Sequence, residues 1–341
     1  MPSITWKSLV WLLLASWLGG AVLCTPAAAQ DKVAMTVTLL GTGSPIPEPF
    51  AHQQVSPRDR MGAMTLVRAG GEVLLFDAGR GVVQRLSQAG VEAKDITEVF
   101  LSLFNSDHVT GLPDLWLTGR LKLAWGGRTT PLDVIGPHGT EAFMANIAKA
   151  YQPDLNNRPS QPKVGLVGHD FDHDGVVFDR NGVKVTMFTV DHAAAKPAVA
   201  YRVDYKGHSV LIAHDTRYHP NVIKYGKGVD LLVHEVLAVN PAALKKHPGL
   251  KVIFNLHTSP EQVGEIFTQT KPKLAVLTHI VLMGSPAFKV PFPAPTVQDL
   301  IKQVRQTYQG PLVAGVDLMS FEVGDKVTTI SPTQQISLKS K

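Results

Sequence analysis

The sequence predicts an α/β domain in which helices cover two β-sheets. Three observations carry that expectation. In the first and middle thirds, apolar β-rich runs come in pairs joined by short glycine turns. From residue 220 onward, strand-like and helix-like runs alternate. Finally, 44% of the chain is hydrophobic, enough for a substantial core and incompatible with general disorder. No internal repeat, low-complexity tract or linker divides the 341 residues, so one compact domain is the simplest organisation.

The elements follow in order. Residues 33–40 alternate as a strand and run into a tight turn, Gly41-Thr42-Gly43-Ser44-Pro45, then a polar loop through Arg60. No third glycine opens a helix, so that turn is not a dinucleotide fingerprint. Runs 64–68 and 72–76 form a hairpin across Ala69-Gly70-Gly71, which Phe76-Asp77-Ala78-Gly79 closes before a helix at about 81–89. A strand at 98–103 leads through Ser102-Leu103-Phe104-Asn105-Ser106-Asp107-His108 into a helix over 111–123. Strand 132–135 and helix 140–151 come next, then a Pro/Asn/Asp/Gly-rich stretch, 152–175, expected as a surface loop. Strands 176–179, 183–190, 198–205 and 208–213 turn at Asn181-Gly182 and Lys206-Gly207. The remainder reads as helix 220–226, strand 230–236, helix 259–270, strand 273–278, helix 296–308 and strands 312–316 and 319–323. Asp170 to Gly175 starts like a calcium loop, but Asn181 stands at its twelfth position and strands follow, so an ordinary acidic turn is expected.

Residues 1–29 read as a secretory signal peptide: Lys7, an apolar run over 8–24 and Ala27-Ala28-Ala29 as the cleavage site. The mature chain is then expected in the periplasm or outside the cell, with no stable membrane insertion. The domain spans 30–328, and 329–341 is a polar tail. Cys24 is the only cysteine and lies in the leader, so the mature chain has neither disulfides nor thiolate ligands, and any metal must be held by His, Asp or Glu. Lys and Arg exceed Asp and Glu by five. That mild excess, without a Lys/Arg cluster interleaved with aromatics, does not make a nucleic-acid surface.

Residues with metal and acid–base chemistry gather where strands end: Asp107-His108, His192, Asp215, His234-Glu235, His257 and His279. One strand-end His or Asp is usually a cap or a turn former. Six such features in one chain supply the imidazole and carboxylate set that a divalent cation needs when thiolates are absent.

The order of these motifs resembles the metallo-β-lactamase superfamily, within it the branch of ribonuclease Z and the arylsulfatase-like hydrolases. The resemblance runs through Leu40-Gly41-Thr42-Gly43, Phe76-Asp77-Ala78-Gly79, Ser106-Asp107-His108-Val109-Thr110-Gly111-Leu112, Asp191-His192, Tyr201-Arg202, Asp215-Thr216-Arg217, Leu231-Leu232-Val233-His234-Glu235, His257-Thr258-Ser259 and Leu277-Thr278-His279, nearly the whole mature chain. It implies a four-layer αββα sandwich with metal at one edge. It also implies Asp107, His108 and His279 as ligands of one ion, Asp215 as the bridging aspartate and His192 as a ligand of the other ion. His257 is then a proton donor to the leaving group, with Asp107 and Glu235 beside it in the catalytic set. The family loop reads His-x-His-x-Asp-His, and here Leu103 and Asn105 stand at the two leading histidines. One zinc per chain is therefore expected. His214, beside Asp215, is a weak substitute ligand, because neighbours on a strand face opposite ways.

The expected activity is a secreted, mononuclear metal-dependent hydrolase of a small-molecule carboxylic, sulfate or phosphate ester, with no nucleic-acid partner. A non-catalytic binding module, argued from Leu103, is the alternative, and tRNA 3′ processing is a third reading opposed by the leader. Oligomeric state is left open, a homodimer included.

Overall fold

A computed structural model describes residues 33–45, 60–284 and 290–332. The leader 1–29, most of loop 44–62 and the end of the polar tail lie outside the described residues. Among those described, no helix is long and apolar enough to cross a membrane.

The first sheet takes its strands from both ends of the chain. It contains β1 (Met35–Gly41), β2 (Met64–Ala69), β3 (Glu72–Phe76), β4 (Glu98–Phe100), β5 (Leu132–Pro137) and β6 (Leu166–Phe171). The second holds β7 (Gly175–Arg180), β8 (Val183–Thr189), β9 (Val199–Tyr205), β10 (His208–Ala213), β11 (Leu231–Val239), β12 (Leu274–Met283) and β13 (Leu312–Ala314). Strands β14 (Ser320–Val323) and β15 (Val327–Ile330) return to the first sheet beyond β1, giving the order β15-β14-β1-β2-β3-β4-β5-β6 against β13-β12-β11-β10-β9-β8-β7.

Period-2 alternation sorts each strand between two cores. Val37 and Leu39 of β1 and Val210 and Ile212 of β10 join one apolar cluster between the sheets. Their neighbours face outward: Leu40 packs with α1 (Val82–Ala89) and α3 (Leu112–Arg120), and Leu211 and Ala213 with α6 (Pro220–Gly226), α9 (Pro260–Thr270) and α10 (Val297–Val304). The helix α4 (Thr140–Ala150) and the short helices α2 (Ser106–Val109), α5 (Gln152–Asn157), α7 (Pro241–Lys246) and α8 (Leu250–Phe254) complete the set among the described residues. The result is the four-layer αββα sandwich. Local chemistry fixes helix starts: Ser259 and Thr296 each form a capping box with the residue three positions on, Gln262 and Asp299.

The structure differs from the sequence expectations at particular places. Residues 166–171, expected as loop, form β6, held by register to β5. Gly168, His169 and Asp170 interrupt the apolar pattern there, and only Leu166 and Phe171, one at each end of the strand, pack against the apolar clusters. β12 continues to Met283 because a bulge, not an end, occurs at His279: Thr278 pairs with Glu235 and Ile280 with Val236. β15 takes Thr329 and Ile330 from the expected tail. The acidic turn is a turn: Asp170 accepts from the backbone N–H groups of Gly139 and Glu141, and Asp174 from that of Thr189.

Candidate metal centre

Residues that follow β4 and β10 meet residues from within β11 and β12 at one edge of the two sheets. After β4 the chain turns into α2, a single turn that presents Asp107 and His108. This turn lies tight against the loop after β3: a Cβ on Gly79 would stand 2.2 Å from the Asp107 carbonyl oxygen, so only glycine fits. Asp215 follows β10, Glu235 lies on β11, and the bulge in β12 lifts His279, with φ 40°, out of the strand's alternation. Bulges re-aim side chains in this way.

The side chains converge closely. His279 Nε2 stands 3.1 Å from Asp107 Oδ2, and His108 Nε2 lies 3.5 Å from Asp107 Oδ2 and 3.6 Å from Asp215 Oδ2. His192 Nε2 is 3.0 Å from Asp215 Oδ2, while its Nδ1–H donates to the Leu256 carbonyl at 2.9 Å. His257 Nδ1 is 3.0 Å from Asp215 Oδ1 and 3.3 Å from Glu235 Oε2. Thus all seven residues expected from the sequence to carry chemistry (Asp107, His108, His192, Asp215, Glu235, His257 and His279) lie in one cluster.

This donor set suits a cation. Asp107 Oδ1, His108 Nε2 and Asp215 Oδ1 are buried with no hydrogen-bond partner. Buried lone pairs left so are costly. Donors sharing one zinc at about 2.0–2.2 Å stand roughly 3.3 Å apart, and the imidazole nitrogens of His279 and His108 stand 3.1 and 3.5 Å from Asp107 Oδ2. Electrostatics agree in direction. Burial works against charge on Asp215, yet His279 and His257 beside it hold its carboxyl well below the usual range. Burial also opposes protonation of His108, and Asp77 and Asp107 outweigh it. For His257, burial is overcome by Glu235 and Asp215, and its pKa is pushed up to about 10.

Sequence reasoning missed Asp77 as part of the cluster, reading it only as the end of a hairpin. Held at φ 59°, it accepts from Ser102 N–H and Oγ–H, from His108 Nδ1–H at 2.8 Å and from His214 Nδ1–H at 2.6 Å. A strand-end Asp before Ala-Gly was the available signal. His214 also contacts Thr65 Oγ1 at 2.8 Å through Nε2, so both ring nitrogens are engaged away from Asp215. Of the His234-Glu235 pair, only Glu235 faces the cluster; the His234 ring meets Phe267 edge-on. Leu103 is buried in the apolar cluster that includes Phe188, Val190 and Ala198, and Asn105 is the N-cap residue of α2 without a side-chain cap bond.

Beside the cluster opens a cleft of about 420 Å³, lined by His257, Asp191, Arg217, Tyr218, Phe254 and Gln262. Asp191 also borders a second cleft of about 580 Å³ that carries His138, His173, Lys196 and His219.

The family description that matches is the beta-lactamase superfamily domain, over residues 73–280. A ribonuclease Z of Mycobacterium avium is 36% identical over 252 residues, covering 72% of this chain and 85% of that protein. The chain belongs to the metallo-β-lactamase superfamily, in its ribonuclease Z branch. A ribonuclease Z of Mycobacterium bovis, 32% identical over 72% of this chain and 86% of that protein, agrees. Among solved structures, the metallo-beta-lactamase fold protein YhfI of Bacillus subtilis has a TM-score of 0.65 at 18% identity, covering 85% of this chain and 99% of that one. Human tRNase Z, short form, has 0.58 at 22%, covering 84% and 98%. These two establish likeness of fold.

Membership makes the protein a metallo-hydrolase, against the non-catalytic alternative. It also corrects two expectations. The small-molecule ester substrate and the absence of a nucleic-acid partner do not stand, because relatives above 30% identity are named ribonuclease Z. Those expectations rested on the leader and on the lack of a Lys/Arg cluster, and neither excludes a nucleic-acid substrate, since a fold can assemble a phosphate-binding face from residues far apart in sequence. The ribonuclease Z side of the resemblance is supported and the arylsulfatase-like side is not.

Proposed function

We propose that the protein is a metal-dependent phosphodiesterase that cleaves RNA. The observation carrying this reading is a buried, unsatisfied cluster of carboxylates and imidazoles beside a cleft, in a chain 36% identical to a ribonuclease Z over 85% of that relative. Asp107, His108, Asp215 and His279 would hold the ion, zinc by the chemistry of the donors. When bound, the ion supplies Lewis-acid polarisation of a phosphoryl oxygen and acidifies water. Asp77 fixes the tautomer of His108, since its carboxylate accepts a hydrogen bond from Nδ1–H and leaves the Nε2 lone pair for the cluster. Glu235, held through Oε1 by the Thr258 N–H at 2.8 Å, presents Oε2 to His257. His257 lines the cleft, and its Nε2 is the nitrogen left to meet a leaving oxygen.

A precursor tRNA with a 3′ extension is the substrate to test first, following the name of the human structural relative. The expected result is endonucleolytic cleavage that stops with EDTA and returns with Zn²⁺. Intact RNA under both conditions, with the protein folded and metal-loaded, sinks the reading. The leader reading of residues 1–29 remains part of the proposal, with periplasmic or secreted RNA as the accessible pool. Cell fractionation tests it, because a protein confined to the cytoplasm contradicts export.

A further inference from the structure

We infer that Asp215, Glu235 and His257 form a second cation site, built on the other oxygen of Asp215, that replaces the ion position lost with Leu103 and Asn105. The inference rests on the metal-dependent reading above, not on the RNA substrate.

Asp215 divides its two oxygens. Oδ2 faces His108 and His192, whereas Oδ1 faces His257 Nδ1 at 3.0 Å. Glu235 Oε2 stands 3.3 Å from the same Nδ1. All three converging atoms (Asp215 Oδ1, Glu235 Oε2 and His257 Nδ1) are buried, and none has a hydrogen-bond partner. Proximity without hydrogen-bond alignment is what ligands of one ion show, since each aims its lone pair at a common point instead of at its neighbour. Separations of 3.0 and 3.3 Å also match donors sharing an ion at about 2.0–2.2 Å.

The surroundings hold this arrangement rigid. Thr258 N–H fixes Glu235 through Oε1, so Oε2 has one direction left. Glu235 is fully buried and Asp215 is 3% exposed. Two carboxylates this close and this dry require a positive charge between them. His279 borders both groups, its ring stacked on His257 with centroids 5.6 Å apart. Two ions bridged by one aspartate would restore a two-metal centre with a different ligand set, made from β11 and the loop before α9 in place of the β4–α2 loop. His257 then holds an ion through Nδ1 and keeps its Nε2–H for hydrogen bonding to a phosphate oxygen.

Metal counting tests this on the full chain, stripped by chelator and titrated with Zn²⁺ or Co²⁺ by calorimetry and elemental analysis. Two equivalents per chain are expected. Glu235→Gln and His257→Gln should each bind one, and Asp107→Asn should lose the other. The visible spectrum of the Co²⁺ protein should change with the second equivalent in the wild type and stay fixed in Glu235→Gln. One equivalent in the wild type overturns the inference and makes a protonated His257 the cation between the carboxylates. Two equivalents retained in both folded Gln variants overturn it too. The wild-type count does not depend on any variant folding, and it stands apart from RNA cleavage: two ions without cleavage would defeat the proposed function alone.

Discussion

His108 Nδ1–H donates to Asp77 Oδ2 across 2.8 Å, and this one bond ties the end of β3 to the turn that carries two of the cluster's donors. The same carboxylate also accepts from Ser102 and His214, so four donors depend on it. Asp77→Asn keeps the shape but weakens the acceptor and introduces a donor where acceptors are needed. Zinc affinity should fall about 10–100-fold, the usual cost of removing a partner behind a ligating histidine. Calorimetric titration measures it, and unchanged affinity would show that α2 holds His108 without help.

Removing a donor from the cluster itself should act on catalysis. Asp107→Ala and His279→Ala each delete a buried group at the centre, with His279 Nε2 3.1 Å from Asp107 Oδ2. Loss of the ion's polarising charge removes several kcal/mol of transition-state stabilisation, so RNA cleavage should drop at least about 100-fold. The drop belongs in kcat, with RNA affinity nearly constant. Cleavage by either variant within about threefold of wild type would place the chemistry elsewhere.

Leu103 makes the opposite prediction. It stands where the family pattern has a ligand, yet it is 1% exposed and packed in the apolar cluster over the second sheet. Leu103→Ala should therefore lower stability by about 2–4 kcal/mol, as for other buried leucines, and leave the number of bound ions unchanged. Urea unfolding and metal analysis on the same sample decide it. A small loss of stability accompanied by a lost ion would mean that this side chain shapes the site after all.

The sequence exposed much of this because the relevant residues follow strands whose alternation is clear. Val37 and Leu39 against Leu40, and Val210 and Ile212 against Leu211, announce two faces, and Asp107, His192 and Asp215 follow such runs, whereas Glu235, expected at a strand end, lies within β11, which continues to Val239. Other features depend on three-dimensional contacts that pattern does not encode. Asp77 joins the cluster because Gly79 lets two loops touch, and His279 reaches it through a bulge whose register is set by β11. β6 was invisible because Gly168, His169 and Asp170 give no apolar period. Basic residues at the clefts were equally hidden: Lys196 and Arg217 border two clefts sharing Asp191, yet they are separated along the chain by apolar strands.

Away from the cluster, Glu98 gives a prediction about pH. Its side chain is buried at the start of β4, where burial above all, and then the nearby Asp133 carboxylate, raise its pKa to about 7 against the pull of Arg180 and His169. In the unfolded chain it titrates near 4.5. Between these values the folded protein keeps a proton that the unfolded chain has released. By linkage, this group's contribution to stability falls as pH rises from about 4.5 to about 7 and is level above that. Glu98→Gln removes the titration while keeping the shape. The variant should match wild type near pH 4 and exceed it at pH 8, by on the order of 2–3 kcal/mol. Urea unfolding of the chelator-treated proteins at both pH values measures the difference, and metal removal keeps the ligand histidines from dominating the comparison. A gain at pH 4 as large as that at pH 8 would trace the effect to packing, and no gain at pH 8 would mean that Glu98 ionises at its ordinary pKa in the folded protein.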